Sequence, residues 1–95
     1  MRAEERLAAF LLNLSQRLAA RGYLNHEFDL PMSRVEIASY LGIQIETVSR
    51  MLSRFAESGL VQIKQRHIKL IDMDGLYELA GIPNPERAHI LKKIP

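Results

Sequence analysis

The sequence predicts a mainly α fold with a small antiparallel β-ribbon, in the order of a winged helix-turn-helix. Three observations predict it. Residues 33–57, "SRVEIASYLGIQIETVSRMLSRFAE", hold two apolar-periodic segments separated by a glycine break. After Gly59 the period changes to strict alternation, in "LVQIK" and "HIKLI". A longer helical segment precedes the pair and a shorter one follows the ribbon. One domain is expected over 1–95, with an N-terminal helix at 3–21 and a helix-turn-helix at 33–57. A β-hairpin wing at 60–71 and a C-terminal helix and tail at 73–95 complete it.

The N-terminal segment "AEERLAAFLLNLSQRLAAR" places Glu4 and Glu5 in a first turn and Arg17 and Arg21 near its end. Both suit the helix dipole. Leu7, Leu11, Leu14 and Leu18 form one stripe, which reads as core packing. Its 4-3-4 spacing also suits a coiled-coil seam, but it lasts for less than two heptads. The next segment, "YLNHEFDLPM", reads as a loop with a short strand around 28–30. Ser33 and Glu36 then form a capping box that opens the first helix of the pair, from about 34 to 41.

Gly42 stands where a turn wants positive φ. Ile37, Leu41, Ile43, Val48 and Met51 form the apolar seam around it. Ala38 falls where the two helices cross most closely, so a larger side chain there would push them apart. The second helix runs from about 45 to 57, with Gln44 as its N-cap and Gly59 as its C-terminal stop. In the wing, "KQRH" is a polar, basic turn with its tip near Gln65 and Arg66. It lacks the Asn-Gly or Asp-Gly of the tightest hairpins. "DMDGLYELAG" reads as a further short helix, and Asn84 and Pro85 as the start of a last turn.

Composition limits the function classes. The chain has 47% hydrophobic and 25% charged residues, values of an ordinary globular domain. No apolar run approaches the ~18–20 residues that cross a bilayer, and the charged N-terminus does not resemble a signal peptide. The absence of cysteine excludes disulfides, thiolate-held iron–sulfur clusters and a cysteine nucleophile. His26, His67 and His89 are too scattered for a zinc site, and there is no Gly-rich phosphate loop. No serine has an evident base partner, and capping explains Asp72 and Asp74. Neither an enzyme nor a cofactor or metal is therefore expected. The net charge of +2 and pI near 9.2 lean weakly toward a polyanionic partner.

The second helix carries the functional signal. Glu46, Ser49 and Arg50 are three and four residues apart and share one face. An arginine can donate two parallel bonds to guanine, and a carboxylate can accept from cytosine N4, while serine accommodates several bases. A carboxylate carried toward phosphates would lower affinity unless it met a base donor, which makes Glu46 informative. A plain i,i+4 surface pair is the alternative for Glu46 and Arg50, and in the DNA reading Glu46 also holds Arg50 in place. Base contacts are thus expected from Glu46, Ser49 and Arg50. Backbone contacts are expected from Arg34, Gln44, Thr47, Arg54, Lys64, Arg66 and His67, with Lys69 nearby. For each of these, a solvated surface residue is the competing reading.

The stretch "MSRVEIASYLGIQIETVSRMLSRFAESGLV" resembles the C-terminal DNA-binding domain of the cyclic-AMP receptor protein and FNR family of bacterial transcription regulators. The similarity extends from "AEERLAAFLLNLS" to "LYELAG". The E-x-x-S-R arrangement at Glu46, Ser49 and Arg50 is similar to the FNR branch, which reads TTGAT-type half-sites. The cyclic-AMP branch typically has arginine at the position of Ile45 and glycine at that of Ser49. The resemblance implies that Arg50 reads guanine, Glu46 the adjacent base pair and Ser49 the thymine side. It also implies a cytoplasmic, homodimeric regulator from which this domain is a piece, monomeric by itself, lacking the sensory domain and dimerisation helix. Some relatives touch RNA polymerase near the loop at Leu24, and many have glycine where Gln65 stands. A protein-interaction module, using the winged helix or an exposed leucine stripe, is the alternative from a different class.

Overall fold

The computed structural model describes residues 2–23 and 25–85. Four helices and three strands are formed by them: α1 (Ala3–Ala20), β1 (Glu27–Asp29), α2 (Arg34–Leu41), α3 (Ile45–Glu57), β2 (Val61–Lys64), β3 (His67–Leu70) and α4 (Met73–Ala80). Leu24 and most of the tail expected to form a last turn lie outside the described residues. The helices enclose one apolar core, and one face of the sheet closes it.

α1 is helical because its apolar residues recur at helical spacing and its end charges oppose the dipole. Leu7 and Leu11 of the stripe are fully buried, and Leu14 and Leu18 pack partly buried against the same core. The stripe is therefore occupied from within, which corrects the alternative of an exposed leucine surface. α1 packs mainly against α4, and Gln16 Nε2 of α1 donates to the Tyr77 hydroxyl of α4 at 2.9 Å.

α2 begins at the capping box. The Glu36 N–H donates to Ser33 Oγ at 3.2 Å, and the Ser33 N–H donates to Glu36 Oε1 at 3.0 Å. Two donors that the helix cannot satisfy internally are thereby satisfied. Gly42 ends α2 at φ 70°, ψ 33°, a conformation that costs other residues about 1–2 kcal/mol. That reversal turns the chain so that α3 packs back on α2. Ile37, Ala38 and Leu41 of α2 and Val48, Met51, Leu52 and Phe55 of α3 are all buried in the shared core. Gln44 occupies the N-cap of α3 with extended backbone, but its side chain makes no capping bond. The capping role expected of it is not taken up.

The sheet differs from the expected two-stranded ribbon. It has three antiparallel strands in the order β1-β3-β2, with β3 in the centre. Val61, Ile63, Ile68, Leu70 and Phe28 face the core, while Glu27, Asp29, Gln62, Lys64, His67 and Lys69 face outward. β1 is only three residues long with a single buried side chain, so its alternation is too brief to announce a sheet partner. Its partner lies about forty residues away, and only the folded chain brings the two together.

β2 and β3 join through the two residues Gln65 and Arg66, closing on the pair Lys64–His67. Among the described non-glycine residues, Gln65 alone has positive φ, at 57°. That is the conformation a two-residue hairpin demands, usually from Gly or Asn.

Candidate nucleic-acid interface

α3 presents two opposed faces. Val48, Met51, Leu52 and Phe55 fix one face in the core with at most 3% exposure. Glu46, Ser49 and Arg50 stand exposed on the other. Since the inner face is pinned by four buried side chains, the outer trio is held on a rigid support and aimed away from the domain.

The trio is brought together as expected, but one detail differs. No hydrogen bond or ion pair joins Glu46 to Arg50, and neither side chain has another partner among the described residues. An exposed pair of this kind gains a few tenths of a kcal/mol and costs rotamer freedom in two long side chains. Both side chains therefore remain in water, and Arg50 is not held in place by Glu46.

The residues expected at the backbone fall into two groups. Arg34 at the start of α2, Gln44 and Thr47 at the start of α3, and Lys64 at the end of β2 have no side-chain hydrogen bond or ion pair among the described residues. The other three are engaged. Arg54 Nη1 donates to Glu4 Oε1 of α1 at 3.2 Å, across an exposed gap. Arg66 donates from Nε and Nη2 to the Leu30 carbonyl at 3.2 and 3.1 Å. His67 has both ring nitrogens on carboxylates, Nε2 on Glu27 at 2.7 Å and Nδ1 on Asp29 at 2.9 Å. The bonds to Glu27 and then Asp29 hold the His67 imidazolium above the ordinary histidine range, and the same bond lowers the Glu27 carboxyl. As folded, the His67 ring has no nitrogen left for a phosphate. The pairing of His67 with strand β1 was not announced by the sequence, and Arg66 spends two of its N–H donors on Leu30, the residue that follows that strand.

Ile45 stands where the cyclic-AMP branch typically has arginine, but it was not among the expected base contacts. It is the first residue of α3, is 37% exposed, and lies one turn from Ser49 on the same surface. An exposed β-branched residue at the front of a reading helix was the available signal, because apolar side chains contact the thymine methyl.

A helix pair hinged at Gly42, a pinned second helix with an outward polar trio, and a basic hairpin beside it form one surface. The model of the Crp-like helix-turn-helix domain matches residues 5–79 of this chain. The chain belongs to the CRP/FNR family. Members of that family are DNA-binding transcription regulators rather than enzymes, and this chain is a CRP/FNR winged helix-turn-helix DNA-binding domain.

CRP/FNR relatives match over the same region. "Transcriptional regulatory protein btr" of Bordetella pertussis is 62% identical over 81 residues, covering 85% of this chain and 34% of the relative. The "Fumarate and nitrate reduction regulatory protein" of Escherichia coli K12 is 51% identical over 79 residues, covering 83% of this chain and 32% of the relative. Among solved structures, FixK2 from Bradyrhizobium japonicum superposes with a TM-score of 0.75 at 37% identity. That match covers 87% of this chain and 40% of FixK2. The chain thus spans about a third of the length of the curated CRP/FNR relatives it matches. No helix among the described residues is long and apolar enough to cross a membrane.

Proposed function

We propose that α3 enters the major groove of duplex DNA and reads a TTGAT-like half-site, as the output element of a bacterial CRP/FNR-type regulator. The observation that carries this is the outer face of α3, where Glu46, Ser49 and Arg50 are exposed and unpaired opposite a fully buried face. A helix about 10–12 Å across fits a groove about 12 Å wide. Arg50 donates to guanine O6 and N7, Glu46 accepts from the neighbouring base pair, and Ser49 meets the thymine side with Ile45 beside it on the methyl group. Because Arg50 has no ion pair to break, the free domain offers its full donor set to the base.

Arg34, Gln44, Thr47 and Lys64 hold the phosphates, and Arg54 joins them by exchanging Glu4 for a phosphate oxygen. Such contacts set position and salt dependence, not sequence. The intact regulator acts as a cytoplasmic homodimer on two half-sites, and it contacts RNA polymerase. One domain by itself is monomeric and binds weakly, since linkage of two sites adds about 10²–10⁴ in avidity.

The test is a binding-site selection with the intact regulator carrying this domain, repeated with Arg50→Ala and Ser49→Gly. Arg50→Ala is expected to erase the preference at one guanine, and Ser49→Gly to change the preference at a thymine. Unaltered motifs in both variants would remove α3 from the reading role.

A further inference from the structure

The outer face of the sheet holds a cluster built by strand pairing. β1 and β3 pair so that Leu70 N–H donates to His26 O and Leu30 N–H donates to Arg66 O. The hydrogen-bonded positions are therefore 26–70, 28–68 and 30–66, and Asp29 faces His67 at a non-hydrogen-bonded position. Side chains approach most closely at such positions, and a diagonal neighbour two residues along is also within reach. Asp29 is the direct neighbour of His67 and Glu27 the diagonal one, and the ring lies between them at 2.9 and 2.7 Å.

A neutral imidazole has one N–H and one lone pair, so it can donate to only one carboxylate and must oppose the other. An imidazolium donates to both. The other charged groups on this face are Lys69, opposite Glu27, and Lys64, opposite His67, with Arg66 next to it in the turn. Those three cations work against protonation, but none is hydrogen-bonded to the ring, whereas both carboxylates are.

We propose that His67 is a protonation-dependent latch on the wing: charged, it ties the edge strand β1 to β3, and neutral, it releases a carboxylate and loosens that strand. Among the described residues β1 is three residues long with β3 as its one strand neighbour. The latch adds two side-chain bonds to the backbone pairing and the buried Phe28 that also hold it. The bonded histidine titrates above its ordinary value. The latch is accordingly closed below the ordinary histidine pKa and opens as pH rises through the raised one. It stands independently of the DNA reading.

The test uses imidazole and amide NMR on the 95-residue chain across pH. The His67 midpoint is expected above the ordinary value of about 6.5, with Glu27→Gln lowering it more than Asp29→Asn. The Leu30 and Leu70 amides are expected to lose hydrogen-exchange protection several-fold, after correction for intrinsic exchange, as His67 deprotonates. In His67→Gln that protection should be independent of pH. An ordinary midpoint, or protection in the parent chain that does not follow the His67 titration, overturns the latch.

Discussion

Leu30 and Arg66 are joined by three hydrogen bonds. The Leu30 N–H donates to the Arg66 carbonyl at 2.7 Å, and the Arg66 guanidinium returns two bonds to the Leu30 carbonyl at 3.2 and 3.1 Å. The wing tip is thereby fastened to the residue that follows β1, while Leu30 itself is 1% exposed in the core. Arg66 thus acts on the position of the wing, whereas Lys64, like Lys69, makes no side-chain hydrogen bond or ion pair among the described residues.

The two residues should separate experimentally. Arg66→Ala is expected to cost about 1–2 kcal/mol in chemical denaturation, because it removes two charge-assisted bonds to one carbonyl. It should leave the salt dependence of DNA binding nearly unchanged. Lys64→Ala should leave stability nearly unchanged and lower the slope of log affinity against log salt by about 0.9, the contribution of one phosphate. The opposite pattern would assign the phosphate to Arg66.

Gln65 holds a positive φ that glycine adopts without steric cost. Gln65→Gly is expected to stabilise the domain by about 0.5–1 kcal/mol, the relief of left-handed strain less the extra chain entropy of glycine. Thermal denaturation would register this as a rise of a few degrees. A drop in melting temperature would mean that Gln65 is held by something other than the turn.

Leu11 lies fully buried on α1. Leu11→Ala is expected to cost about 2–5 kcal/mol by leaving a cavity in the core. Were the stripe instead a docking surface, the loss would be small and a partner or dimer would be lost in its place. Denaturation and sedimentation together distinguish these outcomes.

The capping box gives a pH signature at the acid end. The Ser33 N–H, and then the Ser33 hydroxyl, hold the Glu36 carboxyl below its ordinary value. A depressed carboxyl contributes stability above its unfolded pKa, and that contribution is lost as pH falls through the folded one. Glu36→Gln should therefore lower stability at neutral pH, where the carboxylate contributes, and approach the parent chain at acid pH. Part of the acid limb of the stability curve is thereby flattened. An acid limb identical in both chains would contradict the cap.

Much of the fold was legible because local rules create it. The Ser33–Glu36 box, the Gly42 reversal and the change of period after Gly59 act within a few residues of chain, where hydrogen-bond geometry and steric limits leave few choices. The outward placement of Glu46, Ser49 and Arg50 follows from the same helical spacing once Val48, Met51, Leu52 and Phe55 are assigned inward. What escaped was of two kinds. Glu46 and Arg50 do not pair, because at an exposed site the attraction is no larger than the entropy it costs. The side-chain cap expected of Gln44 is also not made.

By itself, then, the sequence determined the order of helices, the hinge between them and the chemistry displayed on the second. Those depend on neighbours within a turn or two. Only the tertiary structure decided that the short strand expected near 28–30 pairs with β3, that Arg66 turns to Leu30, and that His67 lies between two carboxylates. Each joins residues some forty positions apart, and strand register, which no short stretch of sequence encodes, selects which side chains meet.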